Sequence, residues 1–69
     1  MPYVAYLEIA LVMKSNNPEW RVGQAALNAL VEARPELAEK INGGPLDPFH
    51  RESRLPRFLA WLRENWDAD

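Results

Sequence analysis

The chain has 69 residues, no cysteine, one histidine and a formal net charge of −2, with a pI near 5.3. Disulfides and thiolate metal sites are thereby excluded, a zinc site is disfavoured, and the mild acidity argues against non-specific nucleic-acid binding, which needs Lys and Arg on phosphates. With 48% apolar residues and three tryptophans the chain reads as one folded domain, 1–69. At this size only roughly 60% of the unfolded surface is buried, so oligomerisation is the natural supplement to a small core.

The first element spans about residues 2–14. Tyr3 to Met13 carry ten apolar side chains and one charge, Glu8. That is far short of the roughly 20 apolar residues of a membrane span, yet too apolar on every side for an ordinary surface helix. Periodicity cannot separate helix from strand when nearly every position is apolar. A helix is favoured, because the remaining chain offers no strand to pair with. The alternative is an α+β fold with residues 3–13 as a strand paired across a dimer. Both readings make residues 2–14 a self-association segment and the protein a homo-oligomer.

Ser15-Asn16-Asn17 breaks the first element. Asn17 suits an N-cap, Pro18 the first helical position and Glu19 the positive end of the dipole, so a second helix is expected from Pro18 to about Ala33. Trp20, Gly23, Leu27, Leu30 and Val31 share one face by the helical period, and Val22, Ala25, Ala26, Ala29 and Ala33 form a second arc of small residues. Two apolar arcs make this the central helix. Gly23 is costly inside a helix, which points to close packing against it.

Arg34-Pro35 forces a break, since the residue before proline is pushed out of the α region. A short helix follows from Pro35 to about Ile41. Asn42-Gly43-Gly44 stops it, with Gly43 suited to a left-handed C′ position. Asp47-Pro48-Phe49 has the chemistry of a capped turn, with Leu46 and Phe49 anchored in the core. Ser53 is the expected cap of a last helix running to about Trp66, whose stripe is Leu55, Phe58, Leu59, Leu62 and Trp66. Trp61 lies at the border of that stripe. Asp67-Ala68-Asp69 reads as a frayed tail. The fold expected is therefore all-α, with three main helices and one short one.

Chemistry-bearing residues are few. His50, Arg51, Arg54 and Arg57 form a candidate anion site near a helix amino terminus. The plainer reading is a solvated loop whose arginines pair with Glu52 and Glu64. His50 with Asp47 makes half a catalytic pair, but Ser53 is too close in sequence to serve as nucleophile and no Gly-x-Ser-x-Gly elbow exists. Glu32, Glu36 and Glu39 read as a solvated face rather than as catalytic carboxylates, which need environments that split their pKa values. Gly43-Gly44 lacks the Gly-Lys-Ser/Thr of a phosphate loop. No catalytic residue, cofactor or metal is expected. The candidate partner-binding residues are Tyr3, Tyr6, Arg21, Gln24, Asn28 and Trp61. Aromatic rings suit interfaces, and Gln24 and Asn28 stand one turn apart on a polar strip. Trp20 has the same anchor chemistry, but the need of a small core for it is the favoured reading; for Trp61 the two readings balance.

From Trp20 onward, about two-thirds of the chain resembles short proteins of no assigned activity encoded by bacteriophages and bacterial genomes. The residues that carry the likeness are Arg21, Gly23-Gln24-Ala25, Asn28-Ala29-Leu30, Arg34-Pro35-Glu36-Leu37-Ala38, Leu46-Asp47-Pro48-Phe49, Leu55-Pro56, Phe58-Leu59, Trp61 and Glu64-Asn65-Trp66. The resemblance implies a prokaryotic or phage origin and a cytoplasmic setting, which the lack of cysteine and of a signal-peptide pattern also fits. The function expected is a non-enzymatic protein–protein interaction module, such as a phage inhibitor or adaptor acting on a host defence or transcription component. The alternative is a dimeric nucleic-acid-associated regulator using Arg51, Arg54 and Arg57. A membrane-surface role is disfavoured, because interfacial helices carry Lys or Arg on a polar face and Tyr3 to Met13 carry only Glu8.

Overall fold

Helix α1 runs from Tyr3 to Asn16. It is a helix and not the alternative strand, and no strand occurs among the described residues, 1–67, of this computed structural model. The Ala5 and Tyr6 amides in its first turn bond to the carbonyl of the extended Pro2. At the other end the Asn17 side chain donates to the Met13 carbonyl at 3.0 Å, as does the Asn17 amide. Asn17 therefore closes α1 instead of opening the next helix, and this corrects the expected helix start. Pro18 to Trp20 form a turn, with the Trp20 amide on the Asn17 carbonyl at 2.9 Å.

Helix α2 spans Val22–Ala33. Its first amide is capped by the Glu52 carboxylate at 3.0 Å, from 30 residues away. Gly23, Ala25, Ala26, Leu27, Ala29 and Leu30 are buried, so both apolar arcs exist and α2 is central. Trp20 lies outside the helix and half-buried, while Val22 and Val31, at the edges of the arcs, are exposed. Gly23 is fixed by contact: a Cβ there would stand 2.1 Å from the Pro48 carbonyl oxygen. The close neighbour is a loop backbone, and buried Pro48 is what brings it there.

Helix α3 spans Pro35–Ile41, after Arg34 leaves the α region as expected before proline. Leu37, Ala38 and Ile41 face inward. Gly43 takes φ 78°, the left-handed stop. Asp47 then ties the loop twice, accepting the Phe49 amide at 2.9 Å and the Gly43 amide at 2.8 Å.

A 3₁₀ turn at Glu52–Arg54 leads into helix α4, Leu55–Asn65. Arg54, at the cap position, is already in the right-handed helical region, so the chain enters α4 without an extended capping residue. Ser53 is exposed and makes no cap bond, contrary to the expected role. Phe58, Leu62 and Trp66 are buried, and Leu55, Leu59 and Trp61 pack beside them half-exposed. Asp67 lies exposed in the closing turn, and the rest of the expected tail, Ala68 and Asp69, falls outside the described residues.

Large rings bridge α1 and α4. Trp66 stands edge-on to Tyr3, with centroids 5.8 Å apart, and tilted against Tyr6 at 5.3 Å. The Trp66 indole donates to the Met1 carbonyl at 2.7 Å, and Arg34 donates to the Trp66 carbonyl at 2.9 Å with its guanidinium over the ring. Arg34 also pairs with Glu36. The two ends of the described chain are thus joined through one indole.

Candidate interaction surface

Because α1 is apolar all round, only half of it can face α2 and α4. Tyr6 goes inward and is fully buried, with its hydroxyl donating to the Ala26 carbonyl at 2.6 Å. Burial pushes its phenol far above the usual range, with the neighbouring Tyr3 adding to the shift. Tyr6 presents nothing to a partner and leaves the expected contact set. Tyr3 is half-buried, and its hydroxyl donates to the Leu59 carbonyl at 3.3 Å. Its phenol is raised by desolvation, which the charge of Arg63 partly offsets.

The outward half of α1 holds what the core could not take. Val4 is 63% exposed, Leu11 71% and Val12 58%. Residues 4, 8, 11, 12 and 15 share one side at 100° per residue, so this face contains three aliphatic side chains, Glu8 and Ser15. Exposed Val22 adjoins it, across a groove, on α2.

The remaining expected residues are scattered. Arg21 is exposed and donates to the His50 carbonyl at 3.2 Å. Gln24 and Asn28 are half-buried, and the described hydrogen bonds do not join them. Asn28 lines a broad groove of about 690 Å³ with Leu27, Val31, Glu39, Phe49 and His50. Trp61 sits half-buried against the loop after α3, beside Ile41, Pro45 and Leu46.

The four members of the expected anion site do not act together. His50 is exposed, with its ring edge-on to Phe49 at 4.8 Å. Arg54 turns back to donate to the carbonyls of Gly44 at 3.1 Å and Asp47 at 3.3 Å. Arg51 and Arg57 point into solvent. Glu52, expected to pair with an arginine, caps α2 instead. Glu36 is the exposed carboxylate with a guanidinium on it: the Arg34 hydrogen bond holds its carboxyl below the usual range.

Sequence reasoning missed Arg34 as a structural hub, Glu52 as a cap and Pro48 as a buried wedge. Arg34 carried a signal only as the residue before a proline, and nothing local marked the other two. Among the described residues no helix is long and apolar enough to cross a membrane, and no three His, Cys, Asp or Glu side chains cluster. No family model, curated protein or solved structure matches the chain.

Proposed function

We propose that this protein is a non-enzymatic protein–protein interaction module whose contact surface is the outer face of α1. The single observation carrying this reading is that Val4, Leu11 and Val12 are exposed on one side of a helix that bears a single acidic residue. Scattered surface aliphatics are ordinary, but contiguous ones mark contact sites. A second copy is one such partner, which makes the protein a homo-oligomer. A host protein is another, and the resemblance to phage and bacterial chains directs the search to a defence or transcription component of a bacterial cell. Tyr3 and Trp61 remain at the surface in part, but Tyr3 packs on Trp66 and Trp61 on the loop after α3, so neither adds to the outer face of α1.

The test compares capture from a bacterial lysate by the natural chain and by Leu11→Glu, alongside light-scattering mass over a range of concentrations. A specific partner retained by the natural chain and lost with Leu11→Glu supports the reading. Identical capture by both chains, with a monomer mass throughout, refutes it.

A further inference from the structure

We propose that two copies of this protein pack face to face over the trough between α1, α2 and α4, each α1 lying along the partner's α4 and each Glu8 pairing with the partner's Arg63. This assigns a second copy to the outer face of α1, extends that face onto α4, and rests on the reading given above. The trough encloses about 300 Å³ between Leu7 and Leu11 of α1 and Leu55 and Leu59 of α4, over a floor of Ala25 and Ala26. Its two polar side chains are turned to the chain's own backbone. The Tyr6 hydroxyl donates to the Ala26 carbonyl at 2.6 Å, and the Lys14 ammonium donates to the Pro18 carbonyl at 3.1 Å. Small-molecule sites orient their ligands with a few convergent polar groups, and this trough aims none at its mouth. Its complement is more aliphatic surface, and the charges on its rims indicate whose.

The two crests that flank the mouth carry opposite charges. On α1, Glu8 stands exposed between Val4 and Leu11. On α4, Arg63 stands exposed one turn after Leu59, close enough to Tyr3 for its charge to act on that phenol. Among the described residues neither Glu8 nor Arg63 has an ion-pair partner in its own chain. The two helices run antiparallel, with Met1 meeting Trp66 and Tyr3 meeting Leu59. Glu8 lies about 7.5 Å beyond Tyr3 along α1. Helical side chains lean toward the amino terminus of their own helix, so on antiparallel helices Glu8 and Arg63 lean toward one level. A two-fold axis along the trough sets each α1 on the partner's α4 and makes the Glu8 pairing with the partner's Arg63 twice. A two-fold axis across the trough would set α1 on α1, acidic crest on acidic crest, and basic crest on basic crest. Charge selects the first arrangement. All neighbouring helices are then antiparallel, as in an up-down bundle, and Leu7, Leu11, Leu55 and Leu59 of both copies fill the centre.

The experiment measures dimer affinity by sedimentation equilibrium at low ionic strength, on full chains whose helicity is checked by circular dichroism. The natural chain is expected to dimerise with a Kd below about 1 mM. Glu8→Arg and Arg63→Glu each reverse both symmetry-related pairs, and each is expected to weaken the dimer about ten-fold, the scale of two exposed pairs turned from attraction to repulsion. The double variant should regain the natural affinity. An equimolar mixture of the two single variants should associate more tightly than either alone, because their charges then match across the contact and not within either chain. Weakening by both single variants without recovery in the mixture overturns the proposal. So does a dimer lost with Leu11→Glu but indifferent to the charge changes, which would leave the outer face of α1 as the contact in another arrangement. A natural chain that stays monomeric to about 1 mM also overturns it. Lysate capture lost with Leu11→Glu would then show a foreign protein on that face, and the broader reading would stand without this one.

Discussion

Gly23 and Tyr6 each show a single residue set by a contact from elsewhere in the chain. Alanine at an exposed helical position would stabilise by about 1 kcal/mol relative to glycine. At Gly23 the added carbon meets the Pro48 carbonyl oxygen at 2.1 Å, so the loop must be displaced. Gly23→Ala is therefore expected to destabilise by about 1–3 kcal/mol, the scale of overpacking. Chemical denaturation checks this, and a stabilised variant would show that the loop yields freely. Tyr6→Phe removes the buried hydroxyl bond to Ala26, and a loss of about 1 kcal/mol is expected. The same phenol makes the fold alkali-sensitive. An unfolded tyrosine ionises near 10.0, whereas the folded Tyr6 holds its proton well above that. The unfolded state then sheds a proton that the folded state keeps, so the stabilisation is whole below pH 10.0 and is lost as pH rises beyond it. Phenolate absorbance should rise in two steps, the second coinciding with loss of helical circular dichroism. A single smooth titration of both tyrosines with the helices intact would contradict the burial of Tyr6.

At the scale of elements, the start of α2 is the informative case. Its first amide is satisfied by Glu52, so Glu52→Ala should cost about 1 kcal/mol, the scale of a lost helix cap. Ser53→Ala should fall within about 0.5 kcal/mol of the parent, as an exposed substitution without a bond. Thermal unfolding of the two variants separates these roles, and an equal loss with Ser53→Ala would restore Ser53 as a cap of α4. The limits of α3 were legible because Pro35 and Asn42-Gly43-Gly44 are both local signals acting on the backbone itself. The start of α2 was not, because Asn17 had two helices to serve and the adjoining one claimed its side chain. The α4 stripe was readable from its period, since Phe58, Leu62 and Trp66 all face inward. In α1 no period existed to read. Tyr6 and Leu11 are equally apolar in pattern, and only the positions of α2 and α4 decide that one is enclosed and the other exposed. The candidate site suffered most from this. Tyr6 lay on the wrong side of the helix, and the exposed aliphatics Val4, Leu11 and Val12 were visible only as members of an apolar segment.

The whole molecule has the dimensions of one compactly folded chain of its length. Its radius of gyration is 10.9 Å, against about 11 Å for a compact chain of this length. Its accessible surface is 4597 Å², close to the roughly 4,400 Å² that mass scaling gives for a monomeric protein. Excess area is therefore no argument for association; the argument rests on the kind of surface α1 presents. A stable interface takes about 800 Å² from each partner, roughly a sixth of this molecule, which is within reach of one face of a 14-residue helix and its neighbours. Substitutions on that face should separate folding from association. Leu11 is 71% exposed, so Leu11→Glu should leave monomer stability within about 0.5 kcal/mol of the parent. The same change places a second carboxylate beside Glu8 in any contact, where two buried like charges are strongly unfavourable. Expected, then, is a natural chain whose light-scattering mass rises with concentration and a Leu11→Glu chain that stays at 7.9 kDa and melts where the natural chain melts when diluted to monomer. A melting temperature that falls below that of the dilute, monomeric natural chain would make Leu11 part of the monomer's own core, and the outer face of α1 would lose its standing as a contact surface.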